Sequence, residues 1–289
     1  MIIGAHRRQV VANIKKNVQA RQFNAKAEVD DPVLTHEQRI KLVNDFWDES
    51  KKLSHKVTNL ATRAFFGGAA FILTANQKIG SAKSVKPIAN AIVTSNHYNQ
   101  FDSLPIKRLA MKAHKRLYFV IEDTNLCLPS WIGFLMHNVD SIPITQSVRY
   151  LGREFPKHLA DVFSKKNRWI LIYPEQEMWF NYRKPRPLQK GAYYYAAKMN
   201  VPIVSCFVEL QDKNGLEPGH PDFHTTRKIL HVLPTIYPNK RLSVDENARR
   251  MRDIDYLQKK RAYEKAYGKK LDYNFSYDDI AGYIPPKSK

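Results

Sequence analysis

The sequence contains little cysteine, and this scarcity limits the classes of protein to which it can belong. Only two cysteines, Cys127 and Cys206, occur in 289 residues, and each lies among apolar neighbours. A disulfide framework or a cysteine-based zinc site needs more thiols at regular spacing. We therefore expect both thiols to fill the core of a protein that works in a reducing cytoplasm.

The sequence also has no long apolar run. Its most apolar window, residues 64–75, is much shorter than the roughly 20 apolar residues that a membrane-crossing helix needs. The first residues become basic within a few positions and contain no apolar segment typical of a signal peptide. We predict neither a signal peptide nor a transmembrane helix.

The sequence is also poor in acidic residues. It has 27 Asp and Glu but 47 Lys and Arg, which gives a net charge of +20. Such a surplus favours an anionic partner, namely nucleic acid, an anionic membrane surface or an acidic carrier protein. No helix-turn-helix, zinc-finger or aromatic RNA-binding pattern is visible, so nucleic acid is not the expected partner. The hydrophobic share of 43% is typical of a folded domain with a sizeable core.

Apolar runs and segments of helical periodicity alternate along the chain. The runs predict strands at residues 91–94, 116–121, 139–144, 169–173, 202–209 and 228–233. The periodic segments predict helices at residues 36–62, 147–166, 187–200 and 244–270. This alternation predicts an α/β fold with a mixed, mostly parallel sheet flanked by helices and preceded by an N-terminal helical extension.

The chain divides near residue 80 on composition. Residues 1–80 are predicted to form a basic, amphipathic helical region, with a helix or a loose arm at its start. Its apolar segment, residues 64–75, fits docking on an anionic membrane surface or packing on the rest of the chain, and both interpretations stay open. Residues 81–289 are predicted to form the α/β domain. Its charged helix at residues 244–270 is expected to be solvated, or to bind lipid headgroups or an acidic carrier.

One polar turn is the strongest candidate for chemistry. The residues that follow the apolar strand at 91–94 include Asn96, His97 and Asp102, and a polar turn after a buried strand is where α/β proteins place active sites. A turn that leads into a helix can fold Asp102 back onto His97. The carboxylate would then fix the tautomer of the imidazole and stabilise its protonated form. Alternatively, Asp102 only caps the helix and His97 is a polar loop residue.

The pattern Asn-His-x-x-x-Phe-Asp resembles the first motif of the glycerolipid acyltransferases, which acylate lysophosphatidic acid and related lipids. An apolar strand that ends in Pro174-Glu175 resembles their third motif, and Val201-Pro202 resembles their fourth. The resemblance covers about residues 91–209. It implies an acyltransferase domain within residues 81–289, with His97 as general base, Asp102 as its partner, and Glu175 and Asn96 in substrate binding.

The resemblance further implies an O-acyltransferase. A fatty acyl group would move from a thioester of acyl carrier protein or coenzyme A to a hydroxyl of a lysophospholipid or a related glycerolipid or glycolipid. The acceptor would attack directly, because neither cysteine lies in a nucleophile motif. Such an enzyme of phospholipid biosynthesis needs no further cofactor and no metal. Its expected location is cytoplasmic, peripheral on the inner face of the membrane, where the N-terminal region would dock.

The sequence departs from the family where phosphate is usually bound. Relatives carry Gly-Thr-Arg after Pro-Glu and an arginine in the second motif, whereas this chain has Gln-Glu-Met at residues 176–178 and Thr-Gln at 145–146. We predict that Arg183, Lys184 or Arg186 binds the phosphate from a shifted position, since guanidinium groups suit such contacts. Otherwise the acceptor has no phosphate there.

Two other functions are compatible with parts of the sequence. A non-catalytic basic module that binds anionic lipid or nucleic acid would explain the charge and the altered third motif. It would have no need of His97, Asp102 and Glu175 together. A metal-dependent phosphoesterase would need further His and Asp clusters, which the sequence lacks.

Overall fold

The computed structural model describes residues 6–29 and 32–286, over which helices and strands alternate. The α-helices there are α1 (Arg7–Gln19), α2 (His36–Lys51), α3 (Leu53–Leu73), α4 (Ser103–Lys112), α5 (Ser130–Asn138), α6 (Phe155–Phe163), α7 (Gly191–Lys198) and α8 (Val244–Tyr267). The strands are β1 (Lys78–Ile79), β2 (Ala91–Thr94), β3 (Arg116–Glu122), β4 (Ser141–Ile144), β5 (Arg168–Leu171), β6 (Ile203–Glu217) and β7 (His220–Val232). A π-helical turn, Tyr150–Glu154, leads into α6.

The strands of the described residues form one seven-stranded sheet in the order β1-β7-β6-β2-β5-β3-β4. Only the β6–β7 pair in that sheet is antiparallel. The four residues of β2 are all buried, which fits a central strand covered on both faces. The predicted α/β fold with a mixed, mostly parallel sheet is confirmed.

Two apolar layers cover the two faces of the sheet. On one face, Ile106 and Leu109 of α4 pack with Phe46 of α2 against Val93 and Leu117. On the other face, apolar side chains of α6, α7 and α8 pack against Ile92 and Ile170. Because β2 and β5 are parallel neighbours with Val93 opposite Leu171, their carboxyl ends lie at the same edge of the sheet. The residues after both strands are thereby brought together.

A third apolar cluster ties the start of the chain to its end. Ile14 of α1 is buried in this cluster with Trp179, Phe223 and Ile280. The segment before residue 31, for which the sequence left a helix or a loose arm open, therefore contains a packed helix. The division of the chain near residue 80 stays a prediction, and β1, just before it, pairs with β7 in the sheet.

The hairpin of β6 and β7 is much longer than the sequence predicts. Its outer residues are largely polar, so they lack the apolar pattern that announces a strand, but antiparallel pairing satisfies their backbone groups. The register sets Val208 opposite Leu230 and Leu210 opposite Lys228. Thr94, the last residue of β2, pairs with Ser205, and β6 continues to Glu217. The hairpin therefore extends beyond the end of β2 and lies beside the residues that follow Thr94.

Three further expectations can be compared with the structure. The helical segment predicted at residues 36–62, as one long helix or two in sequence, is two helices, because Lys52 adopts an extended conformation between α2 and α3. Cys206 is buried as predicted, whereas Cys127 is exposed and does not fill the core. Within the described ranges, no helix combines the length and the apolar character that a membrane crossing requires.

Candidate active site

His97 and Asp102 are in direct contact. Nδ1 of His97 lies 2.6 Å from Oδ2 of Asp102. The imidazole side chain is 21% exposed, whereas the carboxylate is only 3% exposed. A buried carboxylate that occupies one ring nitrogen leaves the other, Nε2, to meet a substrate from the solvent side.

The position of Asp102 follows from the turn after β2. The backbone N–H of Asp102 donates to the carbonyl of Asn99, which closes the turn and starts α4. Asp102 occupies the N-cap position, yet its side chain makes no capping hydrogen bond. It accepts instead from His97 and from the backbone N–H of Tyr98 at 3.1 Å. The interpretation of Asp102 as a simple helix cap is therefore wrong.

Tyr173 completes the surroundings of this pair from the neighbouring strand. Its hydroxyl donates to Oδ1 of Asp102. Its ring stacks on His97, with centroids 4.0 Å apart and an angle of 8° between the planes. Burial and the neighbouring Asp102 raise the pKa of Tyr173 well above its usual value, so the phenol stays protonated and remains a donor. This role was not predicted from the sequence, although an aromatic residue directly before Pro174-Glu175 is a visible signal.

Glu175 lies at the same edge of the sheet but is engaged by the protein itself. Its carboxylate accepts the backbone N–H of His97 at 3.2 Å and the backbone N–H of Arg186 at 2.9 Å. The guanidinium of Arg186 also donates to it, at 3.0 and 3.2 Å. Burial lowers the pKa of Arg186, and the Glu175 carboxylate opposes that shift. Both side chains are almost fully buried, so this pair holds the His97 backbone in place.

Asn96 has a structural role. Its amide nitrogen donates to the carbonyl of Val208 at 3.0 Å, and its amide oxygen accepts the N–H of Val208 at 2.8 Å. The side chain thus takes the place of a strand residue beside β6 and anchors the turn that carries His97. Asn96 is buried, and the substrate contact predicted for it has to be corrected.

The three cations predicted to bind phosphate all have internal partners. Lys184 is buried and lies 2.9 Å from the carboxylate of Asp279, and Arg186 is buried against Glu175. Arg183 pairs with Asp212 on β6. The phosphate contact predicted for Lys184 and Arg186 has to be corrected, because neither charge is accessible.

A buried ion pair lies behind the end of β2. Nζ of Lys259 lies 2.6 Å from Oδ1 of Asp255, one turn earlier on α8, and both side chains are fully buried. Thr94 and Tyr193 donate to Oδ2 of Asp255 at 2.7 and 2.5 Å. The helix expected to be solvated is therefore packed against the sheet through charged residues. The i, i+4 spacing of Asp255 and Lys259 was the available signal, but such pairs are more often exposed.

The described part of the chain offers no metal centre. No group of three His, Cys, Asp or Glu side chains within it is arranged to hold a metal ion. The geometry instead suits acid–base chemistry: an accessible imidazole, oriented by a buried carboxylate, with an aromatic ring stacked on its face.

Comparison with known proteins assigns the class. A family model described as Acyltransferase matches residues 78–209, which include His97, Asp102 and Glu175. An uncharacterized acyltransferase of Schizosaccharomyces pombe is 25% identical over 190 residues, or 65% of this chain. The alignment spans 66% of that relative, which is just under two thirds of its length.

A solved structure was also compared with the chain. The 1-acyl-sn-glycerophosphate (LPA) acyltransferase PlsC from Thermotoga maritima is 17% identical, with a TM-score of 0.48. The comparison covers 91% of this chain and 93% of that one.

The family model thus identifies residues 78–209, which contain the His97–Asp102 pair, as an acyltransferase domain. Residues 78–209 match the acyltransferase family model, and the resemblance drawn from the motifs is confirmed at that level.

Proposed function

We propose that this protein is an O-acyltransferase that moves a fatty acyl group from a thioester to a hydroxyl of a lysophospholipid or a related glycerolipid or glycolipid. The observation that carries the proposal is the contact of 2.6 Å between His97 and the buried Asp102. The match of residues 78–209 to the acyltransferase family model supports it.

His97 acts as the general base in this proposal. Nε2 takes the proton of the acceptor hydroxyl as its oxygen attacks the thioester carbonyl. The resulting imidazolium is stabilised by Asp102, which accepts from Nδ1. The tetrahedral intermediate then collapses, the carbon–sulfur bond breaks, and Nε2 returns the proton to the departing thiolate. The acyl group, the proton and the charge are all accounted for.

Direct attack by the acceptor suits the thiols of this chain. Cys206 is buried, and burial raises its pKa to about 12, so it carries almost no thiolate at neutral pH. The exposed Cys127 has its pKa raised by partial burial, with Asp123 contributing in the same direction. Neither thiol is therefore activated as an acyl carrier, and the transfer proceeds through a ternary complex.

We assign membrane docking to the outer face of α3. Leu53, Val57 and Leu60, at spacings of four and three residues, are all exposed, and Phe65 is 68% exposed. The opposite face of α3 is held to α5 by polar contacts, including a hydrogen bond of 2.9 Å from Asn59 to the carbonyl of Asn138. A helix that turns apolar side chains outward fits insertion into a lipid surface.

The charge of the chain supports an anionic membrane and an anionic donor. Lys52 and Lys56 flank the exposed apolar residues of α3, and the net charge is +20. Positive side chains beside an apolar face are attracted to acidic lipid headgroups. Such a surface supports a peripheral location on the inner face of the membrane, with acyl carrier protein or acyl coenzyme A as the proposed acyl donor.

A thioester-consumption assay tests the function. Purified protein is given acyl carrier protein and coenzyme A thioesters with lysophosphatidate, a glycolipid or a simple alcohol as acceptor. We expect turnover with one acceptor, and a loss of at least about 100-fold in His97→Ala, because general base catalysis contributes about that much. His36→Ala, which removes an exposed imidazole, is the matched control and should keep full activity.

The outcomes separate the enzyme from a binding module. A folded His97→Ala variant without turnover supports the general base, and its fold is checked by circular dichroism. If wild-type protein consumes no thioester with any acceptor but binds anionic lipid or nucleic acid tightly, the protein is a basic binding module.

A further inference from the structure

Lys228 stands apart from the other cations around the site. Arg183, Lys184 and Arg186 each pair with a carboxylate of the protein. Lys228 is half-buried on β7 and makes no ion pair within the part of the chain that the structure describes. A partly desolvated ammonium without a direct ion-pair partner is costly, so its position needs an explanation.

The register of the hairpin places Lys228 beside the catalytic turn. The side chain of Asn96 joins the backbone of Val208, and Val208 pairs with Leu230. Leu210 and Lys228 form the next pair with the same side-chain orientation, one step further along the hairpin. Lys228 therefore lies just past the level of Asn96, where the chain continues into His97.

The side chain of Lys228 is on the face of the sheet that carries Asp102. Val208, Leu210 and Leu230 share its side of the hairpin, and all three belong to the apolar cluster that contains Tyr98. The same cluster includes residues of α4, which begins at Asp102. Burial lowers the pKa of Lys228, while the negative charge of Asp102 acts on it in the opposite direction.

We propose that Lys228 binds a phosphate group of a substrate beside His97. The inference rests on the proposed acyl transfer and names its substrate class: a phosphate-bearing lipid acceptor, or a donor whose carrier is bound through phosphate. Lys228 supplies the positive charge that is absent from residues 145–146 and 176–178. An ammonium suits this role as a compact charge on a flexible stem. It reaches the site from the hairpin instead of from the strand ends.

Equilibrium binding tests the lysine without relying on turnover. The probe is short-chain 1-hexanoyl-glycerol 3-phosphate, titrated by calorimetry into His97→Ala protein, with 1-hexanoylglycerol as the phosphate-free comparison. We expect Lys228→Met to raise Kd for the phosphate by about 10- to 100-fold, which is the usual range for a hydrogen bond to a charged group. Lys228→Arg should recover part of the affinity, and Kd for 1-hexanoylglycerol should not change.

Arg227→Met is the matched control. It removes the same charge from the neighbouring position of β7, whose side chain is on the opposite face of the sheet. Its Kd should stay within about twofold of the parent value, since that face does not carry Asp102. If Arg227→Met and Lys228→Met raise Kd equally, the loss of affinity comes from the change in net charge, and the proposal is overturned.

Kinetics on the otherwise wild-type enzyme identify the source of the phosphate. If the acceptor supplies it, Lys228→Met raises KM for lysophosphatidate and leaves KM for the acyl donor unchanged. If the donor supplies it, KM rises for the coenzyme A thioester but not for the phosphate-free N-acetylcysteamine thioester, and 1-hexanoyl-glycerol 3-phosphate binding is unaffected. Either pattern supports Lys228 as the phosphate ligand.

The failure of this inference is distinct from failure of the proposed function. If Lys228→Met changes neither the calorimetric Kd nor any KM in an enzyme that turns over, Lys228 does not bind phosphate and the acyl transfer stands. If the wild-type chain transfers no acyl group, the proposed function fails, and calorimetry of Lys228→Met with both 1-hexanoyl-glycerol 3-phosphate and the coenzyme A thioester decides whether Lys228 binds phosphate.

Discussion

At the scale of single residues, the geometry of the site depends on which groups the Asp102 carboxylate accepts hydrogen bonds from. Its position at the start of α4 would let it cap the helix, but its carboxylate accepts from His97, Tyr98 and Tyr173 instead. Hydrogen bonds to a buried carboxylate are stronger than neutral ones, so three such donors fix the group firmly. The imidazole is then held from Nδ1 and by the stacked ring of Tyr173.

Replacement of the carboxylate tests this arrangement. Asp102→Asn leaves one oxygen for three donors and introduces an amide N–H that cannot accept. It also removes the negative charge beside the imidazolium. We expect kcat to fall by about 100- to 10,000-fold, as for other histidine–carboxylate pairs. Steady-state kinetics at saturating thioester measure the change.

The same variant should remain folded, and Asp45→Asn offers a control at an exposed carboxylate on α2 that is not part of the site. Activity of Asp102→Asn close to that of Asp45→Asn would show that the carboxylate has no part in catalysis.

At the scale of elements, α8 is attached to the sheet by charge as well as by apolar packing. Lys259 donates to Thr94 at 3.0 Å and to Asp255 at 2.6 Å. Thr94 ends β2, three residues before His97. The buried pair therefore connects α8 to the strand that leads into the His97 turn.

Loss of one partner should destabilise the fold. Lys259→Met leaves the Asp255 carboxylate buried without its cation, which typically costs about 3–5 kcal/mol. The exposed Lys265→Met, on the same helix, should stay within about 0.5 kcal/mol of wild type. Urea denaturation followed by circular dichroism measures both free energies of unfolding.

A second substitution sharpens this comparison. Asp255→Asn in the Lys259→Met background removes the unpaired charge and should recover part of the loss. If Lys259→Met unfolds at the same urea concentration as Lys265→Met, the buried pair contributes no net stability.

At the scale of the whole molecule, positive charge and exposed apolar side chains occur together on the surface that we propose for lipid docking. The charge acts over a Debye length of about 10 Å at 0.1 M salt, whereas the apolar contact requires insertion. Binding to vesicles should therefore depend on lipid charge, on salt and on the outer face of α3.

Sedimentation with vesicles measures each dependence. The protein should pellet with vesicles that contain phosphatidylglycerol at low salt and be released at high salt. Phe65→Ser should weaken partition by about tenfold, because burying a phenylalanine side chain stabilises by about 1.5–3 kcal/mol. Leu257→Ser, on α8 at the other face of the sheet, removes an exposed apolar side chain and should leave partition unchanged.

Binding that ignores salt and lipid charge would contradict the electrostatic part of this docking. Equal partition of Phe65→Ser and Leu257→Ser would contradict the assignment of the surface to α3.

The sequence by itself determined the class of fold and the centre of the site. The runs at β2 and β5 are short, apolar and β-branched or aromatic, and such patterns are local. The His97–Asp102 pair was also predictable, because a turn before a helix start brings residues five apart into contact. Motif order over residues 91–209 was enough to indicate the resemblance to acyltransferases, which the family model over residues 78–209 supports.

Tertiary structure decided which charged groups are available. Arg186 and Lys184 are the residue types that bind phosphate, but each is paired with a carboxylate of the protein. Their partners Glu175 and Asp279 lie 11 and 95 residues away in the chain. Whether a cation is paired depends on such distant contacts, which local sequence patterns do not encode. Lys228 could not be predicted from the sequence for the same reason. It lies beside the turn that carries His97 only through the register of β6 and β7.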